Sequence, residues 1–294
     1  MKSGVERTTP YKIVSLIVLV VLAILFMFPL YWIVTGAFKP TADIYSTETV
    51  WWPTQWVLTN FEKLFANRSA PLFNLFGAEG PTVPAAIRWL VNTVFMSVMA
   101  MILTCITASM AGYALAKKRF IGRTVVFSLI VCAMALPKQV ILIPLIREIA
   151  ALGLYNNIWA VILPTVGWPF GVFLMKQFSE NIPGEMLEAA RIDGASEART
   201  FTQIVLPMVK PGIGALAIFT FINSWNDYFL QLIMLTSGAT QTISVGIATL
   251  QGDTTIDLGI LMAGAALAAL PIIIVFLIFQ KYFTQGITMG AVKG

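Results

Sequence analysis

The chain has 294 residues, 58% of them hydrophobic and only 11% charged, with a formal net charge of +5 and a mean hydropathy of +0.83. A soluble domain is about a quarter charged, so this chain has too little polar surface to cover a water-facing globule, and its long apolar runs must sit in lipid. Its basic residues fall in the gaps between those runs, which excludes a nucleic-acid patch and instead marks membrane topology.

A membrane-crossing helix needs about 20 apolar residues, and six segments qualify, at roughly 13–37, 86–115, 124–148, 156–177, 208–235 and 259–282. Residues 1–12, with Lys2, Arg7 and Lys12, precede the first. That start resembles a signal peptide, but the apolar run is too long and no small-x-small cleavage site follows, so an uncleaved span is predicted. Residues 38–85 then lie outside the bilayer, with Trp51, Trp52, Pro53 and Trp56 ahead of a short helix around Asn60–Phe65. Such aromatics suit the lipid interface or an external partner equally well. Residues 86–282 hold the remaining spans, and 283–294 form a tail. Cys105 and Cys132 lie inside apolar runs and read as buried, inert thiols.

Two of these spans are interrupted. Pro137-Lys138-Gln139 splits the third, and residues 164–171, with Gly167, Trp168 and Pro169, break the fourth. Irregular backbone at membrane depth is tolerated where it packs on protein or lines a cavity; a simple proline kink is the alternative. Between the fourth and fifth spans, Pro183 suits the first position of a helix and Glu185 and Glu188 its positive end. Asp193-Gly194 ends that helix, Gly194 being able to take the left-handed C-cap. Ser196 is the N-cap of a second helix, followed by Glu197; it runs to about Leu206, and Pro207 opens the next span. The fifth span carries Asn223, Ser224, Trp225, Asn226, Asp227 and Gln231. Asp227 at mid-membrane costs about 2.5–3.5 kcal/mol on insertion scales, so it faces the bundle interior or a watery path. Asn223, Trp225, Asn226 and Asp227 are the candidate path residues. The competing role is interhelical hydrogen bonding, worth about 0.6 kcal/mol per contact.

Six spans place both termini on one side. Thirteen of the nineteen Lys and Arg residues fall on that side, including Lys117, Lys118, Arg119 and Arg123, so both termini and the 178–207 link are predicted cytoplasmic. The chain has no histidine, which removes the commonest metal ligand and general base. No glycine is followed by lysine, so the phosphate-binding P-loop is excluded. What remains is a pathway without an energy source of its own.

The 178–207 link resembles the signature loop of permeases from binding-protein-dependent ABC importers: E-A-A, three residues, G, nine residues, I, one residue, L-P. Here it reads Glu188-Ala189-Ala190, Gly194, Ile204 and Leu206-Pro207, with every spacing met. The Asn223–Asp227 stretch, the external Pro53 with Asn60-Phe61 and Leu64-Phe65, and the ending Gln285-Gly286-Ile287-Thr288 through Gly290–Gly294 are similar to carbohydrate-type permeases. Most specifically the chain resembles the smaller permease of a maltose-type pair. That resemblance implies an all-α membrane protein with six transmembrane helices and a cytoplasmic coupling helix, the type I importer permease fold, in the inner or plasma membrane of a prokaryote.

It further implies a second six-span permease completing the pore, and a separate ATPase, in two copies, carrying ATP and Mg. This chain would then bind no cofactor or metal and catalyse nothing. An extracellular or periplasmic solute-binding protein would deliver a sugar or polyol; membrane lipid is a partner and nucleic acid is not. Residues Glu188–Leu206, with Asp193 and Gly194 at the turn, would dock on the ATPase, the small Ala189, Ala190 and Gly194 permitting close approach. Glu188 would pair with a basic residue there, or serve helix stability alone. Lys138, the one deep basic residue, slightly favours a neutral sugar. An ion-coupled secondary transporter would show internal repeats, and a membrane enzyme would show paired acids, His or Cys at one cavity; neither pattern is evident.

Overall fold

Where an apolar chain meets proline or a polar cluster its helix stops, and these stops shape the molecule. The computed structural model describes residues 9–72, 81–252 and 257–291. Lys2, Arg7 and the terminal Val292-Lys293-Gly294 lie outside the described residues, as do the side chains of 281–291. The chain divides into two units, Met1–Arg68 with Thr249–Leu267, and Ser69–Ala248 with Ala268–Gly294.

In the first unit, α1 (Thr9–Ala37) is apolar on every side and, ahead of its buried last turn at Thr35–Ala37, unburied over its most apolar stretch, which is the signature of a helix in lipid. Past it come the short α2 (Thr41–Ile44) and α3 (Thr59–Asn67), the latter where the sequence predicts a helix. Asn60, fully buried, donates from Nδ2 to the carbonyls of Ala37 (3.0 Å) and Lys39 (2.8 Å), satisfying acceptors that the end of α1 leaves open. Trp51 packs on Trp32 and Trp52 on Tyr31, with centroids 6.0 and 6.2 Å apart. The exposed indoles of Trp51 and Trp52 thus lie against the aromatic pair Tyr31 and Trp32 of α1. Asp257 lies 3.0 Å from Lys63. Burial pushes its carboxyl up, but Lys63 and the amides of Ile260 and Gly259 together hold it below its usual range.

The second unit opens with a hairpin, β1 (Ser69–Pro71) antiparallel to β2 (Thr82–Pro84), with Ala70 opposite Val83. It leads into α4 (Ala85–Lys117), which at 1.5 Å per residue is roughly 50 Å long and overhangs a bilayer core of about 30 Å. After it come α5 (Arg123–Met134), α6 (Lys138–Ala151), α7 (Trp159–Val166), α8 (Pro169–Glu180), α9 (Gly184–Ile192) and α10 (Glu197–Thr200). A π turn (Phe201–Val205) leads to α11 (Leu206–Met208), then α12 (Lys210–Asn226), α13 (Tyr228–Met234) and α14 (Ile243–Thr249). The last helix is α15 (Leu258–Ala291). Helix α4 is the packing centre. A Cβ on its Gly112 would come within 2.6 Å of the backbone of Met175 and Lys176 in α8, so only glycine permits this approach. Ala108, Met175, Val205 and Leu216 close one core cluster, and Met96, Ala160, Ile162 and Met234 another.

Four described helices are long and apolar enough to cross a membrane, at Pro10–Ala37, Ala85–Lys117, Trp159–Glu180 and Leu258–Gln280. The third expected span is a bent pair, and a second bent pair joins the end of the 178–207 link to the first part of the expected fifth span, 208–235. Helices α5 and α6 meet at 107° across Ala135–Pro137, and the 197–208 segment meets α12 at 77°. The predicted third span is therefore not one rod: its arms are each about 20 Å long, too short to cross singly. Pro137, with ψ at 128°, forces the turn. In the fourth span the break at Gly167-Trp168 leaves one span. The sixth continues as helix to Ala291, beyond the expected end at 282. Cys105 is partly buried, but Cys132 is exposed, correcting the expectation of two buried thiols: on α5 an apolar residue can face outward and still avoid water.

Candidate functional site

The 183–207 link is built by local rules. Pro183, at φ −60° and ψ 134°, stands one residue before α9 as its N-cap rather than inside the first turn. At the far end Gly194 takes φ +73°. Its amide donates to the Arg191 carbonyl (3.0 Å) and that of Ala195 to Ala190 (2.9 Å), the paired closure that a left-handed residue after a helix allows. Ser196 Oγ then accepts from the Arg199 amide at 3.3 Å, capping α10. The second helix does not hand over to the next span at Pro207. It passes through the π turn Phe201–Val205 and α11, and the bend falls at Val209. Pro207 and Pro211 each withhold a backbone donor, which loosens the ladder around the bend.

The signature residues divide by what they touch. Glu188 and Ala189 face out of the fold, as does Ile192 at 86% exposure, whereas Ala190 is buried. Ile204 packs on the cluster of Met175, Ile182 and Leu187, so it holds the link to the bundle. Asp193 is the exposed C-cap of α9, and Leu206 and Pro207 lie in α11. Two lysines at the end of α4 tie down both flanks of α9. Lys117 Nζ donates to the carbonyls of Glu180 (3.1 Å) and Ile182 (2.6 Å). Lys118 Nζ donates to Glu197 Oε2 and lies 5.2 Å from the Tyr113 ring centre. The Lys118 hydrogen bond is the main reason the Glu197 carboxyl is held below the usual carboxylate range. An exposed, apolar-tipped helix clamped at both ends can bind a partner and pass its displacement to α4.

The helix breaks line a second feature, a cavity of about 500 Å³. Lys138, the first residue of α6, and Asp227, between α12 and α13, form an ion pair there at 3.2 Å. Trp168, Phe170, Asn223 and Ser224 line the same space. Asn226 is exposed, bonding back to the Ile222 carbonyl, and Trp225 is buried against Phe221; neither lines the cavity. Of the four candidate path residues, the fold thus places Asn223 and Asp227 on the cavity wall.

The sequence profile described as binding-protein-dependent transport system inner membrane component matches residues 106–289, well over half the chain. The chain belongs to that family. It is a multi-pass membrane component of a binding-protein-dependent transport system, a permease of the ABC importer type. It is 34% identical to the arabinooligosaccharides transport system permease protein AraQ of Halalkalibacterium halodurans over 275 residues, 93% of each chain. With AraQ of Bacillus subtilis strain 168 it shares 32% over 286 residues, 97% of this chain and 96% of the other. A crystal structure of a bacterial ABC transporter involved in import of the acidic polysaccharide alginate contains a chain of the same fold, at a TM-score of 0.78 and 22% identity, covering 96% and 99% of the two chains.

Sequence reasoning missed several residues that organise the permease. Asn156 sits at φ +60°. Its Oδ1 accepts from the amides of Thr236 (3.0 Å) and Ser237 (2.9 Å) and from Thr240 Oγ1 (2.7 Å), fixing the turn after α13. Arg88 and Asn92 of α4 donate to the Ala239 carbonyl from the other side. Gln231, fully buried, joins Ser224 O to Thr242 Oγ1. Lys117 and Lys118 were read only as topology markers. Their place at the end of a long helix, Lys117 in its last turn and Lys118 as its C-cap, where cations favour free carbonyls, was the available signal.

Proposed function

We propose that this permease is one of two that form the translocation path of an importer for a neutral sugar or polyol, driven by ATP bound with Mg on a separate ATPase subunit. In this reading the chain catalyses nothing itself, and a solute-binding protein delivers the substrate from outside the cell. Counting six spans, both termini and the 178–207 link ahead of the bend at Val209 are cytoplasmic, and the described residues of the 38–85 loop face outward. The α9 segment docks on the ATPase through Met186, Glu188, Ala189 and Ile192, with Gly194 and Asp193 making the turn. Closure of the ATPases then moves the link as a rigid body, and Lys117 and Lys118 carry that motion into α4.

The observation that supports this most is the exposed Ile192 beside Glu188 on a helix anchored at both flanks. Met186 is exposed on the same helix, and apolar side chains presented together suit a partner's groove. The sugar assignment is supported by the relatives, two of which are named for arabinooligosaccharide transport.

Expression with the neighbouring genes and purification in detergent tests the assembly. Recovery of a second permease and a P-loop ATPase, with uptake of radiolabelled arabinooligosaccharide that needs ATP, is the expected result. Recovery of this chain alone, with uptake that follows an ion gradient, would overturn it.

A further inference from the structure

The cavity contains one cation and one anion among its lining side chains, Lys138 and Asp227, and they are paired. Around them the wall divides by chemistry. Trp168 and Phe170, with ring centres 4.9 Å apart, make an aromatic side. Asn223 and Ser224 make a polar side, where the exposed Asn223 amide bonds to the Phe219 carbonyl through Nδ2 and offers its Oδ1 as an acceptor. Aromatic surface and polar groups in one space, within the 300–1,000 Å³ typical of ligand sites, suit a pyranose, which has an apolar C–H face and a rim of hydroxyls.

Charge is the second consideration. Helices α6 and α8 both begin at this cavity, Lys138 and Pro169 being their first residues. Helix N-termini carry partial positive charge, and Lys138 adds a full one. Asp227 is the only carboxylate that offsets them at the wall. With the pair intact, an uncharged ring meets a donor and an acceptor side by side, whereas a uronate meets a carboxylate already in place. We propose that the cavity is a saccharide subsite in this chain, between Trp168 and Asn223, and that the Lys138–Asp227 pair sets its selectivity for uncharged over acidic sugars. The inference rests on the sugar-import reading and adds that this permease itself touches the sugar.

The test uses the complete transporter in lipid nanodiscs without its solute-binding protein. Saturation-transfer NMR reads binding of arabinotriose, galactotriose and maltotriose against trigalacturonate. Wild type is expected to bind at least one neutral trisaccharide and to reject trigalacturonate. Asp227→Asn leaves Lys138 unopposed and should raise the acidic-to-neutral binding ratio about tenfold or more. Lys138→Gln should lower it, and the double variant, again without net charge, should return it close to wild type. A merely structural pair predicts that both single variants change the ratio alike. That outcome, or no transfer to any neutral probe in wild type, overturns the proposal, and Lys138→Gln, altered at an exposed side chain, keeps the test valid should Asp227→Asn fail to assemble. ATP-dependent uptake by the same variants, reconstituted into proteoliposomes with the solute-binding protein, separates the two readings. Uptake with an unresponsive ratio removes the subsite alone, whereas gradient-driven uptake without ATP removes the importer reading and the subsite with it.

Discussion

Lys118, just past the end of α4, donates its ammonium to the carboxylate of Glu197, the first residue of α10, so the longest helix of the second unit is tied to the far flank of the exposed α9 turn. The pair is partly exposed, with Glu197 at 64%, and exposed pairs contribute about 0–1 kcal/mol. Its expected importance is therefore in transmission. Lys118→Glu should leave thermal stability nearly unchanged and reduce ATP-driven uptake several-fold, and adding Glu197→Lys should restore much of it. Equal defects in the single and double variants would count against the link.

The same pair gives a pH dependence. The carboxyl of Glu197 is held below its usual range, so its contribution is present above the ordinary carboxylate pKa and is lost as pH falls through the lowered folded-state value. The interaction energy of Lys118 and Glu197 from a double-mutant cycle should be constant at neutral pH and vanish on strong acidification. A coupling that instead grew on acidification would contradict the assignment.

Gly194 has no neighbour within 4 Å of where a Cβ would stand, but its φ is +73°. Substitution therefore costs backbone strain alone, about 1–2 kcal/mol for an ordinary residue. Gly194→Asn should keep most uptake, and Gly194→Val should lose it while the protein still inserts. Gly112 is the reverse case. There the neighbouring backbone blocks a Cβ, and overpacking of this kind costs about 1–3 kcal/mol, so Gly112→Ala should lower the Tm in detergent.

On the docking face, Ile192→Asp and Glu188→Lys alter exposed side chains only. Both variants should fold with wild-type Tm and should fail to retain the ATPase during purification. Full retention by both would mean that α9 is not the contact.

Asn156 serves the turn after α13 through one oxygen that accepts three hydrogen bonds. Asn156→Ala strands two backbone donors and forces an alanine into a left-handed conformation. The expected loss is about 1–3 kcal/mol, read as a fall in Tm. Asn156→Asp, which keeps the acceptor, should be milder.

The sequence by itself determined the features that depend on a few neighbouring residues or on bulk composition. Apolar run length placed α1, α4 and the fourth and sixth spans, because lipid thickness sets a minimum that local sequence meets or fails. Gly194 and Ser196 announced the turn of the link, because caps are local hydrogen-bond arrangements. The spaced pattern Glu188 to Pro207 indicated the family, and Asp227 its place away from lipid. Tertiary structure alone decided that it pairs with Lys138, 89 residues away in sequence. It also decided that Pro137 turns the chain by 107° instead of kinking it, that Asn226 and Trp225 face away from the cavity while Asn223 lines it, and that Asn156 holds a turn 80 residues downstream. These outcomes depend on which helices pack against α4, and that choice rests on shape and close approach, as at Gly112, which periodicity and composition do not encode.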